Sequence, residues 1–403
     1  MQARSESLLA LPYHVQLRDY LKQQEPALWN WFSSAQAKME YTESLRLELL
    51  KSTYRLDAAG HPELYRAAEE VKALLALEIP VTIYQAQHTS DLNATLFYIS
   101  GEGHVVLSGP TLSLLGYDEL KAVLGHELAH YRLWQAEGGD FLVADRLLQA
   151  VAQDIRAEPS HVQSARWFRL YTEIYADRGS LIASEKIEAA VAALVKMMTG
   201  LQQVSGASYL KQAEEVFQQS QATTSGLSHP EAFIRARALQ LWAQECDGLA
   251  GPTPNTDAAI RHMIEGKAGL DELDLIGQSQ LTTATREFLE AFLRPRWFQS
   301  EAVLAHAKLF FDDFKAGTVS SPPPLIIDAR LKDYFCFLML DFAAVDPDLD
   351  QLPLAAAFEW SKMLGIEEEF EKLATKELKL KARAVTKLKN EAEEMLLKAE
   401  AEE

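Results

Sequence analysis

Two histidines four residues apart, His126 and His130 in "GHELAHYRLW", are the side chains of this sequence best suited to hold a metal. On a helix, positions i and i+4 lie one above the other on the same face, so both rings can aim at one point. Zinc takes neutral imidazole nitrogens at about 2.0–2.1 Å and favours four ligands. Glu127 projects beside that point, where a carboxylate can take a proton from a metal-bound water. Two solvated histidines on an amphipathic helix give the same short pattern, so the surroundings have to decide.

A catalytic zinc keeps three protein ligands and one open position. Downstream, in "RWFRLYTEIYADRGSLIAS", Trp167, Leu170, Ile174 and Leu181 recur at helical spacing, and Glu173 and Asp177 share a face. Glu173 can complete a two-histidine, one-glutamate set. Asp177, one turn on, can accept the free N–H of a ligating histidine, a bond such sites normally need. Without a metal the two carboxylates are an i,i+4 like-charge pair, which is mildly destabilising.

The elements that must position these groups are mostly helices. "YDELKAVLGHELAHYRLW" has Asp118 as N-cap and Glu119 in the first turn, where the helix dipole favours negative charge. Leu120, Leu124 and Leu128 form a core-facing stripe. Gly125 costs about 1 kcal/mol against alanine inside a helix, which points to a close backbone approach there. Residues 1–75 read as helices and residues 80–108 as strands, with "TLFYIS" and "HVVLS" flanking "GEG" as a three-residue hairpin loop. Val105 and Val106 lie on the strand just before the metal helix. If that strand is an edge, an extended peptide can add to it by main-chain hydrogen bonds. Residues 118–245 read as helical, and "GLAGPTPNTD", 248–257, as a linker.

Four segments in order give the reading a family. "DELKAVLGHELAHYR" resembles the first metal helix of the M48 family of zinc metallopeptidases, and "EIYADR" resembles the segment that supplies that family's third ligand. "EIPVTIYQAQHTSDLNATLFYISGEGHVVLSGPTLSLLG" is similar to the strand, turn and hairpin that precede the motif, and "SHPEAFIRA" to a His-Pro segment with an arginine six residues after the histidine. The resemblance runs from about residue 65 to about residue 243. It implies an α+β, predominantly helical, gluzincin-type domain holding one zinc per chain through His126, His130 and Glu173. It implies protein or peptide substrates, Glu127 as general base, and His229 near the reacting centre. Pro230 favours an extended or turn conformation at His229, with a helix beginning just after it. His229 then either donates to the oxyanion formed during attack, the preferred role, or occupies the open zinc position at rest and keeps the enzyme latent. Arg235, on the first turns of that helix, can point back at Asp177.

Most members of that family are anchored by membrane helices, and this sequence departs from them. No apolar run approaches the ~18–20 residues that span a bilayer, and "GDFLVADRLLQAVAQDIRAE" reads as a soluble helix. The apolar stretch around Leu8–Leu11 is too short for a signal-peptide core. A cytoplasmic protein without an integral anchor is expected. The net charge of −19 argues against a nucleic-acid surface. The two cysteines, Cys246 and Cys336, have no metal-type spacing and read as reduced and structural.

The expected organisation is a metallopeptidase domain over 1–247, with N-terminal helices over 1–75 and a catalytic core over 76–247. The linker 248–257 follows, then a helical domain over 258–365 that weakly resembles helical domains of the tellurite-resistance TerB type. A charged helix over 366–403 closes the sequence. The helical domain could receive a protein partner. Asp346, Asp348 and Asp350 alternate like the start of a calcium loop, but Gln351 and Ala357 stand where such a loop wants glycine and glutamate, so a capped turn is expected. His14, His61, His262 and His306 show no partner pattern, His88 and His104 take surface or loop roles near the hairpin, and His161 belongs to a helix start. The expected activity is metalloendopeptidase. The alternative is a zinc-binding interaction protein that keeps the fold and cleaves poorly.

Overall fold

Apolar residues at helical spacing build most of this chain, and one small sheet interrupts them. The computed structural model describes residues 8–87, 90–220, 222–248, 256–266, 269–316, 331–380 and 382–402. His88, the "GTVSSPPP" loop and most of the 248–257 segment lie outside them. The described residues form two compact units, 1–267 with 274–276, and 268–273 with 277–403.

The first unit opens with helices α1 (Pro12–Gln24), α2 (Pro26–Ser33) and α3 (Ala35–Ser52), then strand β1 (Thr53–Arg55) and helix α4 (Pro62–Leu74). Residues 1–75 are therefore not all helical, since β1 enters the sheet. Strands β2 (Val81–Ala86), β3 (Asn93–Ile99) and β4 (Glu102–Ser108) complete it in the order β1-β2-β4-β3. β2 and β4 run parallel, and the other neighbours are antiparallel. Ile99 pairs with Glu102, so Ser100 and Gly101 make a two-residue turn instead of a three-residue loop. Gly101 sits at φ +84°, where only glycine is unstrained.

The sheet corrects one expectation. The strand of Val105 and Val106 is central, paired on both sides, and both side chains are buried. "HVVL" is a nearly continuous apolar run because both of its faces are covered. The free edge beside the helix of His126 and His130 belongs to β3, so Val105 and Val106 are not positioned to receive a peptide.

A short helix α5 (Thr111–Leu114) leads into α6 (Tyr117–Gln135), followed by α7 (Asp140–Ala152), α8 (Pro159–Ser184), α9 (Ile187–Thr199), α10 (Gly206–Gln219), α11 (Ala232–Cys246) and α12 (Thr256–Glu265). The N-cap of α6 is Gly116, not Asp118; the Gly116 amide donates to Glu119 Oε2 at 2.7 Å. Gly101 N–H donates to Tyr131 Oη at 3.0 Å, tying the hairpin end of the sheet to α6. On the other face of the sheet, Leu45 and Leu49 of α3 pack on Tyr84, Ile99 and Val106.

Helices α6 and α8 meet at two glycines. A Cβ on Gly125 would lie 2.3 Å from Ala183 Cβ and 2.6 Å from Gly179 O, and a Cβ on Gly179 would lie 2.4 Å from Ala129 Cβ. This is the close approach that Gly125 announces in the sequence, and it brings His126 and His130 against Glu173 and Asp177. Gly179→Ala should destabilise the fold by about 2 kcal/mol or more, the upper range for overpacking, despite alanine's better helix propensity. An unchanged or higher urea midpoint would show that the crossing tolerates the methyl group.

Helix α12 buries Ile260, Met263 and Ile264 within the first unit, and Tyr171 Oη donates to Glu265 Oε1 at 2.9 Å. The division between units thus falls after α12, later than the Gly/Pro-rich 248–257 segment suggests. His14 is fully buried, 3.1 Å from Thr172 Oγ1, and its ring packs on Phe168.

The second unit contains most of α13 (Leu275–Phe292), then α14 (Glu301–Phe310), α15 (Lys332–Ala344), α16 (Leu352–Met363), α17 (Glu367–Glu377) and α18 (Ala382–Ala401). Phe288, Phe292, Phe335, Phe342, Phe358 and Phe370 fill its core. The charged C-terminal stretch is two helices, not one, since Phe370, Ala374, Val385 and Leu388 bury one side of each. Asp346 caps a turn by accepting from the Asp348 amide at 3.0 Å. No helix among the described residues is long and apolar enough to cross a membrane.

Candidate metal centre

The side chains of α6 and α8 converge at one end of a cleft of about 830 Å³. His126, His130 and Glu173 offer ligand atoms that all lie within 4.8 Å of one another. The Nε2 atoms of the two histidines are 3.3 Å apart, and Glu173 Oε2 lies 3.4 Å from His126 Nε2. Glu173 Oε2 is buried without a hydrogen bond. Buried lone pairs converging on one point without a donor are costly. A cation among them removes that cost, so the donor set fits a metal such as zinc: two imidazoles and one carboxylate.

Asp177 and Arg235 hold this set in place. Asp177 Oδ1 lies 3.1 Å from His126 Nδ1, which leaves Nε2 facing the cluster. Arg235, entering from α11, donates to Asp177 through Nε at 2.8 Å and Nη2 at 2.6 Å, and its Nη1 is 3.5 Å from Glu173 Oε2. A planar guanidinium matches a carboxylate in this paired way, and lysine would not. Trp134 stacks on His130 with centroids 5.4 Å apart, closing that side of the ring to water.

The electrostatics call for positive charge. Burial opposes ionisation of Glu173 and Asp177, but His126 and Arg235 hold Glu173, and Arg235 and His126 hold Asp177, below the usual carboxylate range. Burial disfavours a charged His126, yet the neighbouring carboxylates of Asp177 and Glu173 push it up to about 10. Burial and the neighbouring His126 lower His130 to about 3. Burial raises Glu127 to about 7, and the Leu96 amide of β3 moderates the rise by donating to its carboxylate.

His229 lies on the loop before α11, with its ring 60% exposed and Nε2 3.6 Å from Glu173 Oε1. The loop is well held. Arg166 Nε donates to Gly226 O at 2.9 Å, Glu231 accepts from the Ser225 amide at 3.0 Å, and the Thr224 amide donates to Met263 O at 2.8 Å. Arg166, Glu231 and Trp134 carry no motif that marks them, although Trp134 follows His130 at i+4 and its stacking was readable. His104 lies away from the cluster, buried, with Nδ1 3.1 Å from Tyr84 Oη.

The sequence profile of peptidase family M48 matches residues 59–243, a span that includes all of these site residues. Residues 59–243 are a peptidase family M48 domain. The M48 domain implies a divalent metal, typically zinc, and supports a metallopeptidase role. The chain is 28% identical over 203 residues to the plastoglobule-localized metallopeptidase 48, chloroplastic, of Arabidopsis thaliana. That match covers 46% of this chain and 58% of the relative, so the chain spans less than two thirds of the relative's length. No solved structure matches the chain.

Proposed function

We propose that this protein is a zinc-dependent metalloendopeptidase acting on extended segments of protein substrates. The observation that carries the reading is the convergence of His126, His130 and Glu173 in a cleft that also holds Glu127. A bound zinc supplies a Lewis acid and lowers the pKa of water toward ~7. Glu127, oriented by the Leu96 amide, takes the proton from water and passes it to the leaving amine. Asp177 and Arg235 keep His126 in one orientation throughout.

The edge of β3 is the cradle for the substrate backbone. Leu92, Ala94, Leu96 and Tyr98 line the cleft, and an extended peptide laid along this edge passes Glu127. Leu194, Met197 and Met198 of α9 form an opposing apolar wall for a bulky side chain. Casein, which is largely unfolded, is the appropriate probe. Intact casein after prolonged incubation with zinc-loaded protein would remove this reading.

His229 donates to the oxyanion in this account, since its exposed ring borders the carboxylate of Glu173. His229→Ala should slow casein cleavage about a hundredfold with zinc retained, the usual cost of one oxyanion donor. Faster cleavage by the variant would assign His229 to a resting latch instead, and an unchanged rate would remove both roles.

A further inference from the structure

The cleft extends along α8 away from the metal ligands, and Arg169 lines it. Arg169 is half-buried, and among the described residues its guanidinium makes no hydrogen bond or close ion pair. Guanidinium groups removed from water are normally paired. The facing carboxylate, Asp145 on α7, is already engaged by Gln149 Nε2 at 2.8 Å, and Asp145 feels a second arginine, Arg146, as well. Asp145 therefore offsets part of the Arg169 charge, while the Arg169 N–H donors are left without a hydrogen-bond acceptor among the described residues.

Resting on the peptidase reading, we propose that Arg169 is a specificity residue that binds a carboxylate of the substrate, the side chain of an aspartate or glutamate near the scissile bond. Arg169 precedes Glu173 by four residues, so the two share a face of α8. Four residues of helix rise about 6 Å, and an extended peptide advances about 3.3 Å per residue. The acidic residue then sits roughly two positions from the bond that is cut. The planar fork of arginine receives a carboxylate through two parallel hydrogen bonds, which an amide of the same shape cannot match. The chain as a whole carries −19, so long-range attraction does not favour acidic substrates and the preference is local to the cleft.

The test digests casein with zinc-loaded wild type and R169A and sequences the products by mass spectrometry. Wild type should enrich aspartate and glutamate within three residues on one side of the cut, about tenfold over asparagine and glutamine. R169A should lose that enrichment while cutting sites without acidic neighbours at the wild-type rate, and R169K should keep part of it. A wild-type profile in R169A, or an equal loss at every site, would overturn the proposal. If no casein is cut, the peptidase reading fails separately. Arg169 is then read by fluorescence anisotropy of matched peptides containing glutamate, glutamine or lysine. A glutamate preference of about tenfold that vanishes in R169A supports the site, and equal binding of the three peptides overturns it.

Discussion

Glu127→Gln should reduce casein cleavage by a hundredfold to ten-thousandfold while leaving one zinc bound per chain. Glutamine keeps the shape of the side chain but cannot take a proton, and a positioned general base contributes about 10²–10⁴ in rate. Glu127 is not among the converging ligand atoms, so the metal has no reason to leave. The Leu96 amide keeps an acceptor in the amide oxygen of glutamine, so the local geometry persists. Cleavage is measured at matched zinc content by release of acid-soluble peptides. A rate within threefold of wild type would show that another group moves the proton.

Glu173→Ala should lose the metal itself. The substitution removes one of the three proposed ligands and the carboxylate that lies close to both imidazoles. It also leaves the Arg235 guanidinium facing Asp177 alone, which makes the site more positive before any cation arrives. Loss of a group that merely orients a ligand costs 10–100-fold in metal affinity, so loss of the ligand should cost about a hundredfold or more. Competition with a chromophoric chelator reads the affinity directly. Wild-type affinity in Glu173→Ala would show that the third ligand lies elsewhere.

The cluster proposed as the metal centre was legible because its information is local. His126 with His130, and Glu173 with Asp177, are each fixed by a single helical turn, and Gly125 flagged the crossing that joins the pairs. Gly179, its counterpart, stands in an equally regular helix and carries the same signal. What depends on distant partners was not legible. The hydrophobic pattern of "HVVL" fits a central strand, but the order β1-β2-β4-β3 is set by which strands meet across the chain. His14 shows nothing around it in sequence, because Thr172 and Phe168, which bury it, are far along the chain. Helix α12 follows a segment with linker composition, yet Ile260, Met263 and Ile264 return it to the first unit, and composition says nothing about where an apolar face will pack.

Titration of metal-free protein with zinc, read by casein cleavage at each addition, tests the central claim most directly. Cleavage should start from zero, rise linearly and break at one zinc per chain, and Glu127→Gln should stay flat across the same titration. Cleavage that is present without metal, or that rises without a break near one equivalent, would contradict the assignment of His126, His130 and Glu173 as the zinc centre of a peptidase.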